Sequence, residues 1–140
     1  MANKINLAFF NAYLELDKTC NEYFEISKGG VTTYINRLKE LEFAPDKDKF
    51  LPRLFKYRKL RNIIAHEADA MSYLSEITKE DVKWINDFAK AVENKKDPIS
   101  RYRRNTDLYD LWCKARIAFI AFGIVALIVI GVIVYNFIIK

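Results

Sequence analysis

The chain has 140 residues, of which 51% are hydrophobic and 29% are charged, and its formal net charge at pH 7 is +5. The chain has only four glycines and shows no alternation of apolar and polar residues, which argues against a β-sheet protein. A single histidine and two cysteines far apart in sequence argue against a zinc site and a structural disulfide, and we expect no metal and no cofactor.

The first two predicted helices follow from apolar residues at spacings of three and four. The first covers about residues 3–27, with Leu7, Phe10, Tyr13, Leu14, Tyr23 and Phe24 on its apolar side. We expect Lys28-Gly29-Gly30 to end it, because glycine reaches left-handed backbone geometry without a steric penalty. The second covers about residues 31–42 and buries Val31, Tyr34, Ile35, Leu38 and Leu41.

Two further helices follow the break at Ala44-Pro45-Asp46. The third covers about residues 47–69, with Phe50, Leu54, Tyr57, Arg61 and Ile64 on one side. The fourth begins at Thr78, where Thr78-Lys79-Glu80-Asp81 has the pattern of a capping box. Its buried positions are Val82, Trp84, Ile85, Phe88, Ala89 and Val92. The pattern predicts an all-α bundle of four to five helices over residues 1–97.

The C-terminal part predicts a membrane anchor. After a connector at residues 94–100, we expect a last helix to begin near Thr106 and to continue into residues 117–139, which carry no charge. A bilayer core needs about 20 apolar residues, and a buried core helix is rarely apolar on every face. A signal peptide is not expected, because no apolar run begins the chain.

The charges around this segment predict its orientation. Residues 1–94 carry 15 basic and 15 acidic side chains, whereas the juxtamembrane residues 95–116 carry seven basic and three acidic ones. Beyond the apolar segment only Lys140 follows. The positive-inside rule therefore predicts a single-pass protein whose N-terminal domain is cytoplasmic.

A basic stretch in the third helix contains the candidate site. Residues 47–61 hold seven basic residues and one acidic residue, and His66 follows. An imidazole titrates near pH ~6.5, whereas an arginine stays charged, so this pair of residue types suits chemistry on a phosphodiester. Arg61 and His66 point about 140° apart on an ideal helix, so either a distorted turn or a second copy of the chain would be needed to bring them together. Asn62 is one turn before His66 and is placed to orient the imidazole.

The sequence Arg61-Asn62-x-x-Ala65-His66, on the third helix of a small helical domain, resembles the motif of the HEPN superfamily. The resemblance covers about residues 3–97. It implies a homodimer that acts as a metal-independent ribonuclease in bacterial toxin–antitoxin, CRISPR-associated or other anti-phage systems, anchored here in the inner membrane. Arg61 and His66 are then the catalytic positions and Asn62 supports them. Some toxin branches have a tyrosine two residues after the histidine, where this chain has Ala68.

Lys56, Arg58 and Lys59 are expected to hold the RNA backbone, and the alternative is a solvated basic face. His66 has an alternative as well, since a lone histidine is often a packing or hydrogen-bonding residue. Two other functions remain open: a non-catalytic effector that oligomerises in the membrane as a pore or lesion, and a scaffold that recruits a partner such as an antitoxin. Gly123, Ala126 and Gly131 would allow close helix approach in such an oligomer.

Overall fold

A computed structural model describes residues 2–67 and 74–138, except for the side chains of residues 2, 3 and 137. These residues form five α-helices and no strand: α1 (Ala2–Phe24), α2 (Gly30–Glu40), α3 (Lys47–His66), α4 (Lys79–Glu93) and α5 (Pro98–Ile138). The predicted all-α class is confirmed. Ala68, the end of the predicted third helix at residue 69, and residues 139 and 140 lie outside the described residues.

The chain divides into two compact units, Met1–Tyr102 and Arg103–Lys140. In the first unit, α1 packs against α2, α3 and α4. One side of α1 is buried in this core, at Phe9, Ala12, Tyr13, Leu16 and Cys20. Leu7 and Leu14 were predicted on the apolar side of α1, but their side chains are 48% and 42% exposed and do not belong to the buried side. Apolar residues occupy more than one side of α1, and periodicity alone does not say which side the other helices cover.

The other helices bury part of the predicted positions, whereas Leu41, Val82, Trp84 and Ala89 are only partly buried. The buried residues are Val31, Tyr34, Ile35 and Leu38 on α2, Leu54, Tyr57, Leu60 and Ile64 on α3, and Ile85, Phe88 and Val92 on α4. The rings of Phe9 and Tyr57 pack edge to face, 5.6 Å apart, and join α1 to α3. Burial of these apolar side chains is the main favourable contribution to folding.

The end of α1 differs from the prediction. The helix ends at Phe24, and Glu25 takes the left-handed conformation with φ 56°. The backbone N–H groups of Glu25 and Ile26 then donate to the carbonyls of Glu22 and Asn21, at 3.2 and 2.9 Å. This is a Schellman motif, with a glutamate at the position that glycine usually occupies.

The two glycines instead begin α2. Gly29 is its N-cap in the left-handed conformation, with φ 75°, and Gly30 is its first residue. Gly30 lies directly against α1: a Cβ there would collide with the carbonyl of Asp17 and lie 2.5 Å from the backbone nitrogen of Asn21. The Asp17 carboxylate accepts a hydrogen bond from the N–H of Val31 at 2.9 Å. The absence of a side chain at Gly30 therefore allows α1 and α2 to meet.

The predicted capping box at the start of α4 is confirmed. The Thr78 hydroxyl accepts a hydrogen bond from the N–H of Asp81 at 3.2 Å. In return, the Asp81 carboxylate accepts a hydrogen bond from the N–H of Thr78 at 2.9 Å. The same carboxylate accepts from the Tyr57 hydroxyl at 2.8 Å. A residue that caps α4 thus also joins it to α3.

The last helix begins eight residues before the predicted position, at Pro98 rather than near Thr106. Asp97 precedes it, and its Oδ2 atom accepts from the N–H groups of Ile99 and Ser100 at 3.1 and 3.2 Å. The Tyr34 hydroxyl donates to the same oxygen at 2.7 Å. Aspartate before a proline is a strong start signal for a helix, because proline lacks an N–H and its φ is already helical.

In the second unit, residues 103–138 continue α5. Every large hydrophobic side chain described between Ile117 and Ile138 is at least 48% exposed, and Phe119 reaches 78%. This helix is long and apolar enough to cross a membrane.

Candidate functional site

The surface of α3 between Phe55 and His66, together with Glu67, lines an open groove with a volume of about 550 Å³. Its lining consists of two apolar, two basic, one amide, one imidazole and one acidic side chain: Phe55, Arg58, Lys59, Asn62, Ile63, His66 and Glu67. Most of these residues are three or four positions apart, which places them on one side of the helix. Of the predicted site residues, the structure brings together Arg58, Lys59, Asn62 and His66.

His66 is the last residue of α3 and is exposed. The helix ends there because Glu67 leaves helical geometry, although its N–H still donates to the carbonyl of Ile63 at 3.0 Å. His66 is therefore not a buried packing residue. Its side chain lines the groove and is accessible from solvent.

Arg61 is placed differently from His66. It does not line the groove, and its side chain is half-buried. Its Nη1 atom donates to Oδ1 of the neighbouring Asn62 at 3.3 Å, and its Nε atom is buried with no hydrogen-bond partner among the described residues. Among the described residues, those that line this groove include His66 but not Arg61, in agreement with their five-residue spacing.

Arg61 lies on the side of α3 that faces α1. Burial raises the pKa of Tyr13 on α1, and the positive charges of Arg61 and Arg58 oppose this rise. These two arginines are therefore close enough to Tyr13 to affect it electrostatically. Arg58 also lies over the ring of Phe55, 5.3 Å from its centroid, which holds its guanidinium at the groove.

Lys56 does not line the groove, unlike Arg58 and Lys59. Its ammonium lies 3.7 Å from the Asp81 carboxylate on α4 and 5.9 Å from the centroid of the Tyr57 ring. Its charge is therefore partly neutralised by the bundle. The basic stretch of the sequence divides into Arg58 and Lys59 in the groove and Lys56 beside α4.

Sequence reasoning did not identify three residues of the groove, Phe55, Ile63 and Glu67. Phe55, Lys59 and Ile63 are spaced four apart, and this spacing was the available signal. Among the described residues, no three His, Cys, Asp or Glu side chains come together as a possible metal site.

No curated protein and no solved structure matches this chain. A protein family matches residues 7–116, which include all of α2, α3 and α4, the groove and the basic residues that precede the apolar segment. The chain belongs to this family, the family of unknown function DUF6548.

Proposed function

We propose that this protein is a membrane-anchored, metal-independent endoribonuclease of the HEPN type, acting in a toxin or anti-phage defence system. The observation that carries the proposal is the exposure of His66 in a groove that also holds Arg58 and Lys59. An imidazole beside two cations suits a phosphodiester substrate, because the imidazole can accept a proton while the cations bind the phosphate.

The proposed reaction is an internal transesterification. Neutral His66 takes the proton of a ribose 2′-hydroxyl, whose oxygen attacks the adjacent phosphorus. The bond from phosphorus to the 5′-oxygen of the next nucleotide breaks, and that oxygen takes up a proton from water. His66 returns the proton it accepted to the solvent. The products are a 2′,3′-cyclic phosphate and a 5′-hydroxyl end. General-base catalysis of this kind typically contributes about 10²–10⁴-fold in rate.

Arg61 supplies charge stabilisation in this proposal, from a second copy of the chain. A guanidinium stabilises the phosphate oxygens as their negative charge grows. The half-buried side chain of Arg61 and the five-residue spacing keep it from the groove of its own chain, so a two-fold dimer is the arrangement that completes the site. Arg58 and Lys59 hold the RNA backbone, and Asn62 orients the imidazole.

The location follows from α5. We propose that its apolar part crosses the inner membrane once and that the basic residues before it keep the helical bundle in the cytoplasm. The groove then meets cytoplasmic RNA while the enzyme stays at the membrane.

The test is incubation of the purified full-length protein in detergent with RNA and a chelator, followed by detection of cyclic-phosphate ends. We expect His66→Ala to lower cleavage by at least about 10²-fold, since it removes the general base, while RNA binding changes little. Arg58→Ala should weaken binding. Arg37→Ala is its charge-matched control, because Arg37 lies on α2 in an exposed pair with Glu40.

Cleavage that survives in the His66→Ala protein would refute the assignment. If the wild-type protein binds no RNA and cleaves none, the nuclease proposal fails. The non-catalytic effector that acts through α5 then takes its place, and its own signature is loss of membrane potential in cells that express the protein.

A further inference from the structure

The residues of α5 that precede its apolar part are divided by charge between two sides of the helix. At about 100° per residue, Asp107 and Asp110 lie roughly 140–160° away from Trp112. Arg103 and Lys114 share that acidic side, each four residues from one of the aspartates, so the charges there balance. Arg104 lies between the two sides, one turn before Asp107. Arg116 lies about 40° from Trp112, and the aspartates are at least about 120° away from it. Arg116 is therefore the basic residue whose charge is not balanced by an acidic neighbour on its own side of the helix.

The same side has a shallow depression of about 600 Å³, lined by Trp112, Ala115, Arg116, Phe119 and Ile120. Its apolar wall is exposed, with Trp112 at 69%, Phe119 at 78% and Ile120 at 56%. Arg116 is its one charged member. The site thus combines a cation at one end with an apolar surface that continues along the helix.

The position of Arg116 along α5 sets its depth in a bilayer. The apolar residues 117–138 span about 33 Å as an α-helix, close to the thickness of a hydrocarbon core. Arg116 immediately precedes them, so the membrane crossing proposed above puts it at the level of the phospholipid phosphates. Trp112 lies one turn further out, in the interfacial region that tryptophan favours.

We propose that Trp112, Arg116 and Phe119 form a binding site for an anionic phospholipid. Arg116 binds the phosphate, the acyl chain lies along Phe119 and Ile120, and the Trp112 ring packs against the glycerol region. This inference rests on the membrane crossing proposed above and is independent of the ribonuclease activity.

The experiment uses the full-length protein in phosphatidylcholine vesicles that contain a minor fraction of a brominated lipid, either phosphatidylglycerol or phosphatidylcholine. Bromine on the acyl chain quenches tryptophan fluorescence at short range, and the signal of a Trp112→Phe protein is subtracted to remove that of Trp84. We expect brominated phosphatidylglycerol to occupy the site about fivefold more readily, the gain typical of one basic side chain at an anionic surface.

The matched variants are Arg116→Gln and Lys114→Gln, which remove the same charge from opposite sides of the helix. Arg116→Gln should abolish the preference for phosphatidylglycerol, and Lys114→Gln should keep most of it. Equal quenching by the two lipids in the wild-type protein would refute the proposed lipid site but not the proposed membrane crossing. Equal loss in both variants also overturns it, because the attraction is then general. An absence of quenching by either lipid overturns both the site and the crossing.

Discussion

Single residues determine where the helices of this bundle meet, and the start of α2 shows this most clearly. Gly30 lies against the backbone of α1, whereas Gly29 has open space around it and a φ of +75°. The two adjacent glycines are thus required for different reasons. At Gly30 the requirement is space, and at Gly29 it is backbone geometry.

These two requirements predict different costs for the same substitution. Gly30→Ala should destabilise the protein by about 3 kcal/mol, because α2 must move away from α1 to admit a methyl group. Gly29→Ala should cost about 1 kcal/mol, the usual strain of a left-handed alanine. Thermal unfolding of both variants in mild detergent measures the difference. Equal costs would show that close approach of α1 and α2 is not what requires Gly30.

Between elements, Asp81 adds polar contacts with Tyr57 and Lys56 to the aromatic contacts that join α3 and α4. Burial acts to raise the pKa of this carboxyl. Hydrogen bonds from the Thr78 N–H, the Tyr57 hydroxyl and the Thr78 hydroxyl, together with the charge of Lys56, outweigh burial and lower the pKa. Asp81 therefore prefers its charged form in the folded protein more than in the unfolded chain.

This preference predicts a dependence on pH. A carboxyl whose folded pKa is lowered contributes stability above its unfolded pKa, near 3.9, and loses that contribution as pH falls through the folded pKa. Asp81→Asn should therefore be less stable than the wild type at neutral pH, and the gap should narrow below about pH 4. Denaturant midpoints between about pH 3 and pH 7 measure it, with Trp84 as the reporter in a Trp112→Phe background.

Asp87→Asn is the control for this series, because it removes an exposed carboxyl from the same helix. Its midpoint should stay close to that of the wild type at each pH. If the difference in stability between the wild type and Asp81→Asn stays constant down to about pH 3, the charged form of Asp81 is not what stabilises the fold.

The sequence predicted those elements whose determinants are local. The Thr78–Asp81 capping box lies within four residues, and the buried positions of α2 and α4 follow the helical period. The start of α5 was missed, although Asp97-Pro98 carried a local signal for it. The end of α1 was missed because Glu25 takes a conformation that normally indicates glycine, and its own sequence gives no sign of this.

The candidate site was predicted in part for the same reason. The spacing of Asn62 and His66 fixes them on one side of α3, and the groove confirms that they lie together. The ion pair of Lys56 with Asp81 depends on a residue 25 positions away, on a different helix. Long-range partners of this kind are set by the packing of the whole bundle, and periodicity within one helix does not show them.

For the whole molecule, alkylation of the two cysteines tests the proposed orientation in the membrane. Burial raises the pKa of Cys20, whose side chain is 0% exposed, so this thiol should resist alkylation in the folded protein. Cys113 lies four residues before the apolar part of α5 and is partly exposed. A cytoplasmic bundle places Cys113 on the cytoplasmic side of the membrane.

We therefore expect a membrane-impermeant maleimide to label the protein once, at Cys113, in inverted inner-membrane vesicles, and not in right-side-out vesicles. The Cys113→Ser protein is the control and should remain unlabelled in both. Labelling of Cys113 in right-side-out vesicles alone would reverse the orientation and remove the groove from cytoplasmic RNA.

In the proposed dimer, His66 of one chain acts with Arg61 of the other. The direct measurement is RNA cleavage by His66→Ala and Arg61→Ala proteins, each alone and co-expressed. Each variant alone should be inactive. The co-expressed pair should recover about a quarter of the wild-type rate, because random pairing makes half the dimers mixed and each mixed dimer keeps one intact site of two. A co-expressed pair as inactive as its parents, beside an active wild-type protein, would contradict the shared site.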